Sequence, residues 1–394
     1  MGEKLDILPA FRIAIAQDEE DWGHDSGVVD VTPAFALNNR IGQIHLQEVP
    51  ISRMEEILPA MYKPFPALTY LYLQSVNEDL ETLIDPDLFL GGSASCLRYL
   101  HLYFVPFPGL PKILLSATHL THLQLFNMSH SGYISPEAMV SCFSALTRLE
   151  TLDLTFESAE LKHRRPPAPT RTLLPALTLL KFSGYNEYLE DLVARIDTPQ
   201  LNNLKVSNLS KTISNTAQLV QFISRTPKLK ANNEAHVVFD RSTVHLTLRV
   251  FEKGLGTSFE VVDWEVSSVA QVCALSLSQA FAVERLYIYN KYPYGWFANN
   301  IEVWKNLLRS FASVKSLYLS RGYIAPALQV LTRERVAGVL PALQTLFLED
   351  LNLVWGRDQK AIGSFVFGQQ SSSHHIALSQ WNKEQVKLEM EGYY

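Results

Sequence analysis

The chain has 394 residues, of which 47% are apolar and 19% charged, the balance of a globular protein able to bury a large core. A formal net charge of −6 argues against general nucleic-acid binding, and Cys96, Cys142 and Cys273 are too few and too scattered for a disulfide framework or a zinc site. No apolar run reaches the length of a membrane span, and Met1-Gly2-Glu3-Lys4-Leu5-Asp6 has the form of neither a secretory nor a myristoylation signal, so an intracellular location, cytoplasmic or nuclear, is expected.

Residues 1–40 read as an N-terminal helix and loop with a cap-like role, the acids, glycines and His24 of Asp18 to Asp30 marking the loop. From residue 41 an L-x-x-L-x-L phrase recurs. It appears as Ile41-Ile44-Leu46, Leu68-Leu71-Leu73, Leu97-Leu100-Leu102, Leu120-Leu123-Leu125, Leu149-Leu152-Leu154, Leu177-Leu180-Phe182 and Leu201-Leu204-Val206. It returns as Val283-Leu286-Ile288, Val314-Leu317-Leu319 and Leu343-Leu346-Leu348. The middle residues are 27, 29, 23, 29, 28 and 24 apart in the first set and 31 and 29 apart in the second, the period of a leucine-rich repeat. Within each phrase the last apolar pair has the period of two that buries one face of a strand. One such strand cannot bury that face alone, so the units must stack.

Between the phrases lie segments with helical spacing. Ser52 with Glu55 three residues on has the pattern of a capping box ahead of Ile57, Leu58 and Met61. Ser135-Pro136-Glu137 opens a second helix toward Phe143. Further helices are predicted over 216–225, 267–280, 299–311 and 325–339. The step from Leu204 to Leu286 is 82 residues, room for about three repeats. Strands are expected there at Ala235–Phe239 and Ser258–Trp264, with Val238 and Val261 as the marker residues. The alternation Val244, Leu246, Leu248, Val250 predicts an extra strand paired outside the regular array. The fold class that follows is α/β, a leucine-rich-repeat solenoid of about 12 repeats over 41–394. A curved parallel β-sheet would line its concave face and helices its convex face, with irregularity around 205–285.

The search for chemistry is negative. Gly254-Leu255-Gly256 lacks the third glycine and the strand-to-helix setting of a nucleotide loop. His119 and His122, His374 and His375, the acids Asp85 and Asp87, and Glu187, Glu190 and Asp191 read as solvated surface or helix caps. No enzyme, cofactor or metal is expected. The basic, proline-rich stretch Lys162 to Arg171 reads as an exposed loop. What remains is the strand surface, where the fifth and seventh positions of each phrase project. There Tyr72, His101, Tyr103, Phe126, Lys181, Lys205, Tyr287, Tyr289, Tyr318 and Phe347 are the candidate protein-binding residues of the concave face, because aromatics on a rigid sheet bury much area at low entropic cost. The ninth position, asparagine in the repeat consensus, is Val76, Val105, Met128, Leu209 and Leu351, which predicts an apolar plug there.

Longer blocks carry a resemblance. Glu55 to Ala67, Phe89 to Ala94, Pro106 to Lys112, His130 to Met139, Glu187 to Asp197 and Gln221 to Lys228 resemble the expanded F-box and leucine-rich-repeat family of mushroom-forming fungi, over about positions 40 to 380. The resemblance implies a protein-interaction array derived from the substrate receptors of cullin-type ubiquitin ligases. Those receptors begin with a helical F-box opening on a Leu-Pro-x-Glu-like phrase, whereas Leu8-Pro9-Ala10-Phe11 continues differently and the repeats begin by residue 41. The expectation is a scaffold with an unknown protein ligand, no ligase adaptor, no nucleic acid and no membrane. The alternative is the substrate-recognition subunit of a ubiquitin ligase whose F-box is missing from this chain.

Overall fold

The structure is a computed structural model that describes residues 11–15, 32–76, 88–105, 110–128, 133–156, 170–208, 217–230, 233–240, 243–249, 258–264, 283–290, 300–349, 356–370 and 375–383. The chain packs as two units, Met1–Leu201 and Asn202–Tyr394. Asp18 to Asp30, Lys162 to Pro169, the Gly254 turn, the helix expected over 267–280, the acids Asp85 and Asp87, and Cys273, His374, Leu209 and Leu351 lie outside the described residues.

In the first unit β1 (Phe11–Ile15), β2 (Ile41–Val49), β3 (Tyr70–Ser75), β4 (Tyr99–Tyr103), β5 (His122–Met128), β6 (Thr151–Phe156) and β8 (Leu179–Gly184) are hydrogen-bonded in that order, all parallel. The two-residue strands β7 (Thr172–Leu173) and β9 (Ile196–Asp197) pair separately. The recurring phrase is the register of this sheet. Ile44, Leu71, Leu100, Leu123, Leu152 and Leu180 face one another in one row. Leu46, Leu73, Leu102, Leu125, Leu154 and Phe182 form the next, and every member of both rows is buried. The first leucine of each phrase closes a tight turn, its N–H donating three residues back: Leu68 to Phe65, Leu97 to Ala94, Leu120 to Ala117 and Leu149 to Leu146. A row of backbone bonds then links successive phrases, from Thr69 to Gly42, Arg98 to Thr69, Thr121 to Arg98, Glu150 to Thr121 and Thr178 to Glu150. Each unit therefore satisfies its entry turn through its predecessor, which is why isolated repeats do not fold.

Helices Ile51–Ile57, Leu110–Ser116, Pro136–Phe143 and Asn186–Ala194 follow β2, β4, β5 and β8. They cover the leucine side: Tyr188 packs on Phe156 and Phe182, which continue the leucine rows, and donates its hydroxyl to the Ile134 carbonyl at 3.0 Å. Ser135 caps its helix as expected, accepting from the Ala138 N–H at 3.2 Å. Ser52 does not. The helix begins at Ile51, two residues before the start that a Ser52 cap implies, behind an extended Pro50 (φ −58°, ψ 149°) whose carbonyl accepts from Arg53 and Met54. Within 1–40 the described residues form a strand and a 3-10 helix: Phe11–Ile15 extends the sheet as β1 and Thr32–Arg40 is 3-10 helix. Of the ninth positions, Val105 is buried as the plug requires, but Val76 is exposed.

In the second unit the strands are β10 (Asn203–Asn208), β11 (Glu234–Asp240), β12 (Thr243–Arg249), β13 (Ser258–Trp264), β14 (Arg285–Asn290), β15 (Ser316–Leu319), β16 (Thr345–Glu349) and β17 (Ala377–Trp381). Their spatial order is β10-β13-β12-β11-β14-β15-β16-β17. Instead of lying outside the array, Val244, Leu246 and Leu248 belong to β12 in its middle, antiparallel to β11 and β13, with Val250 outside the described residues. The reason is directional. A three-stranded meander returns the chain to its starting direction, so β13 pairs parallel with β10 and β11 parallel with β14. The marker residues move accordingly: Ala235, not Val238, faces Leu286, and Phe259, not Val261, faces Leu204. Helix Ile301–Arg309 is capped by Asn300, and the expected 325–339 helix is two, Ile324–Arg333 and Val336–Val339, broken where Arg335 takes φ +61°. Trp304 and Tyr323 pack on Phe239 from the helical side. Among the described residues no helix is long and apolar enough to cross a membrane.

Candidate protein-docking face

Because strand side chains alternate, each phrase sends its third, fifth and seventh residues to the face opposite the leucines. On β2 to β5 that face is a contiguous aromatic surface. His45, Tyr72 and His101 stack across three strands, with ring centroids 4.3 and 4.2 Å apart and planes within 10° and 17°. Phe126 continues the row obliquely, 5.2 Å from His101 and 5.8 Å from Tyr103. A second row runs through Tyr70, Tyr99 and His122, at 5.9 and 4.4 Å. Tyr72, His101, Tyr103 and Phe126, four of the residues singled out from sequence, thus come together in one patch. His45, Tyr70, Tyr99 and His122 complete it. The signal for the last three was the parity of the third phrase position, which equals that of the fifth and seventh; His45 is the fifth residue of the first phrase.

Packing sets the protonation of this surface. His101 is depressed below the ordinary histidine value chiefly by burial, against the opposing pull of its bond to Gln124; its Nδ1 lies 2.6 Å from Gln124 Oε1. His122 is depressed by burial as well, partly offset by the Glu150 carboxylate. Both shifts favour the neutral ring. Tyr72 is raised by burial and then by Tyr70 and Glu48, and its hydroxyl donates to Gln74 Oε1. The ring faces are spent on one another, and the polar tips of Tyr72, His45, His101 and His122 are engaged by Gln74, Gln47, Gln124 and Thr121, so what the patch offers a partner is chiefly ring edges. Further along the same unit Lys181 lies 3.8 Å from Asp153, which is itself buried.

No family model matches the chain, and no curated protein does. Among solved structures it is similar to the leucine-rich-repeat-containing protein LegL7 from Legionella pneumophila, with 14% identity, 90% of this chain and 97% of that chain covered, and a TM-score of 0.34.

The second unit answers differently. Lys205, Tyr287, Tyr289, Tyr318 and Phe347 occupy the expected positions on β10, β14, β15 and β16, but Tyr287 and Tyr289 are only 6% and 5% exposed. They are buried residues, not the surface anchors expected, because Trp381 packs against them. His236, Tyr287, Tyr318 and Phe347 stack in a row at 4.5, 4.1 and 4.2 Å, and Trp381 closes over it. His236 Nε2 lies 2.7 Å from Glu234 Oε1, and Arg285 is 4.0 Å from the same carboxylate. His119 and His122 are engaged separately: the His119 Nδ1–H donates to the Ser95 carbonyl at 2.9 Å, and His122 Nδ1 lies 2.9 Å from Thr121 Oγ1. Among the described residues no group of three or more His, Cys, Asp or Glu could hold a metal ion.

Proposed function

We propose that this chain is a non-catalytic leucine-rich-repeat interaction protein, a solenoid whose first unit docks a protein ligand on the aromatic face of β2 to β5. The observation that carries the reading is the patch itself, eight rings gathered on one face by the repeat register. Evenly spaced strands about 4.8 Å apart and residues about 3.3 Å apart along them give the patch a footprint of roughly 200 Å². That is the size of a hot-spot centre, and a complete interface of about 800 Å² per partner requires contacts on the surrounding repeats too. Stiff tyrosines with polar tips suit such a centre because they lose few rotamers on binding.

The test compares affinity capture by the native chain with capture by a Tyr72→Ala, Tyr99→Ala, Tyr103→Ala variant of unchanged circular dichroism. The expected result is a partner held by the first and lost from the second. Equal recovery would remove the patch from the interface, and recovery of the ligase adaptor would favour the ubiquitin-ligase reading.

A further inference from the structure

The aromatic row of the second unit is built like the open patch of the first, yet the chain occupies it with its own C-terminal segment. Trp381 ends β17, and its ring stands edge-on to Tyr287 at 5.9 Å and 64° and to Tyr318 at 5.7 Å and 77°. Its indole N–H donates to the Leu319 carbonyl at 3.0 Å. Two residues on, the Lys383 ammonium donates to Asn290 Oδ1 at 3.0 Å. Trp381, Lys383 and Asn290 are all buried, and the tyrosines beneath Trp381 form a cluster of their own on the face opposite the leucine core. The strand that leads to them is less buried than its neighbours β15 and β16. Among the described residues β17 is the last strand of its sheet and pairs with β16 alone, and it leaves Ala377, Leu378 and Gln380 exposed. Trp381 at the end of this mostly exposed edge strand and Lys383 two residues beyond it describe a ligand in a site more than a strand in a core, since locally unfolding segments come from elements with few buried contacts.

We propose that the outer face of β14 to β16 is a recognition site for a peptide segment carrying tryptophan followed two residues later by lysine, and that Trp381 and Lys383 are an intramolecular copy of that segment which a partner must displace. The site's chemistry sets the class. The row of Tyr287 and Tyr318 with the free lone pair of a strand carbonyl accepts an aromatic ring bearing an N–H donor, which tryptophan has and phenylalanine lacks. The amide oxygen of Asn290 accepts from an ammonium without the desolvation that a buried carboxylate partner would add. Among the described residues the charges near the row include Glu234 and Arg285 at its start and Glu349 on β16, which accepts from the Arg321 backbone N–H. A tethered segment acts at an effective concentration on the order of millimolar, so a free peptide at micromolar concentration does not open the native chain.

The test uses a dye-labelled peptide of residues 377–383 and its Trp→Ala counterpart, titrated by fluorescence anisotropy into the full native chain and into a Trp381→Ala, Lys383→Ala variant. The variant is expected to bind the first peptide at least tenfold more tightly than the native chain does, and neither protein to bind the second. Equal affinity for both peptides, or no binding by a folded variant, would overturn the proposal and leave Trp381 as a structural cap. Should the double variant not fold, Lys383→Ala alone and hydrogen exchange of the native chain decide. Millimolar peptide is expected to speed exchange over 377–381 in both, and unchanged exchange would equally overturn the idea.

Discussion

At the level of single residues, the repeat carries strain at a fixed place. Glu48, Phe104 and Asn127 stand two residues after the last leucine of their phrases, and all three take positive φ, 53°, 53° and 50°. Two of these sites coincide with shifts of register, between Leu46 and Val49 and between Leu125 and Met128, the mark of a bulge. Left-handed backbone costs a residue with a Cβ about 1–2 kcal/mol, only part of which glycine's extra chain entropy gives back. Glu48→Gly is therefore expected to raise stability by about 0.5 to 1 kcal/mol, read as a higher urea midpoint; a lower midpoint would show that the left-handed conformer is not strained there. The histidines give a pH dependence whose sign follows from their depression. His101 and His122 bind protons more readily unfolded than folded, so their contribution is complete above the ordinary value of 6.5 and is lost as the pH falls through 6.5 toward the depressed folded values. Melting temperature should drop between pH 7.5 and 5.5, and His101→Gln should flatten that drop. Cys142 is buried, its thiol pushed up to about 11 by burial, while Cys96 is exposed. Alkylation mapped by mass spectrometry is expected to mark Cys96 well before Cys142.

At the level of elements, helix starts were legible where a short polar side chain could reach the first free N–H groups. Ser135 and Asn300 do so, and Ser135→Ala or Asn300→Ala should each cost about 1 kcal/mol in chemical unfolding. Ser52 shows why such patterns fail: the carbonyl of the preceding Pro50 accepts from Arg53 and Met54 and starts the helix first, and the serine falls inside it. The strand phrases were legible because three apolar positions in six residues leave only one register in which all are buried. What periodicity did not reveal is where strands lie once direction reverses, since β11, β12 and β13 alternate much as any strand does. Gly184 adds a constraint of close approach: its φ is +146°, and a Cβ there would come within 2.9 Å of the Phe156 carbonyl oxygen. Gly184→Ala should destabilise by roughly 1–3 kcal/mol, more than an alanine on the exposed surface would.

At the level of the molecule, each unit has interior strands with two neighbours and edge strands with one. Backbone exchange should be slowest in β4 to β6, where Leu100, Leu123 and Leu152 are buried between flanking strands, and fastest in β1 and β17. Leu123→Ala, a truncation at the centre of the first sheet, is expected to cost about 2–5 kcal/mol, and a loss under 1 kcal/mol would mean that the leucine rows are not the core. The sequence alone determined the repeating strand, its buried parity and the face on which Tyr72, His101, Tyr103 and Phe126 would stand, because those depend on spacing within a few residues. Only the tertiary structure decided that β12 enters the sheet, that β11 and β13 exchange places relative to chain order, and that Trp381 clusters with Tyr287 and Tyr289 and Lys383 reaches Asn290 from nearly a hundred residues away. Such contacts depend on which distant segments meet, and no local period encodes that.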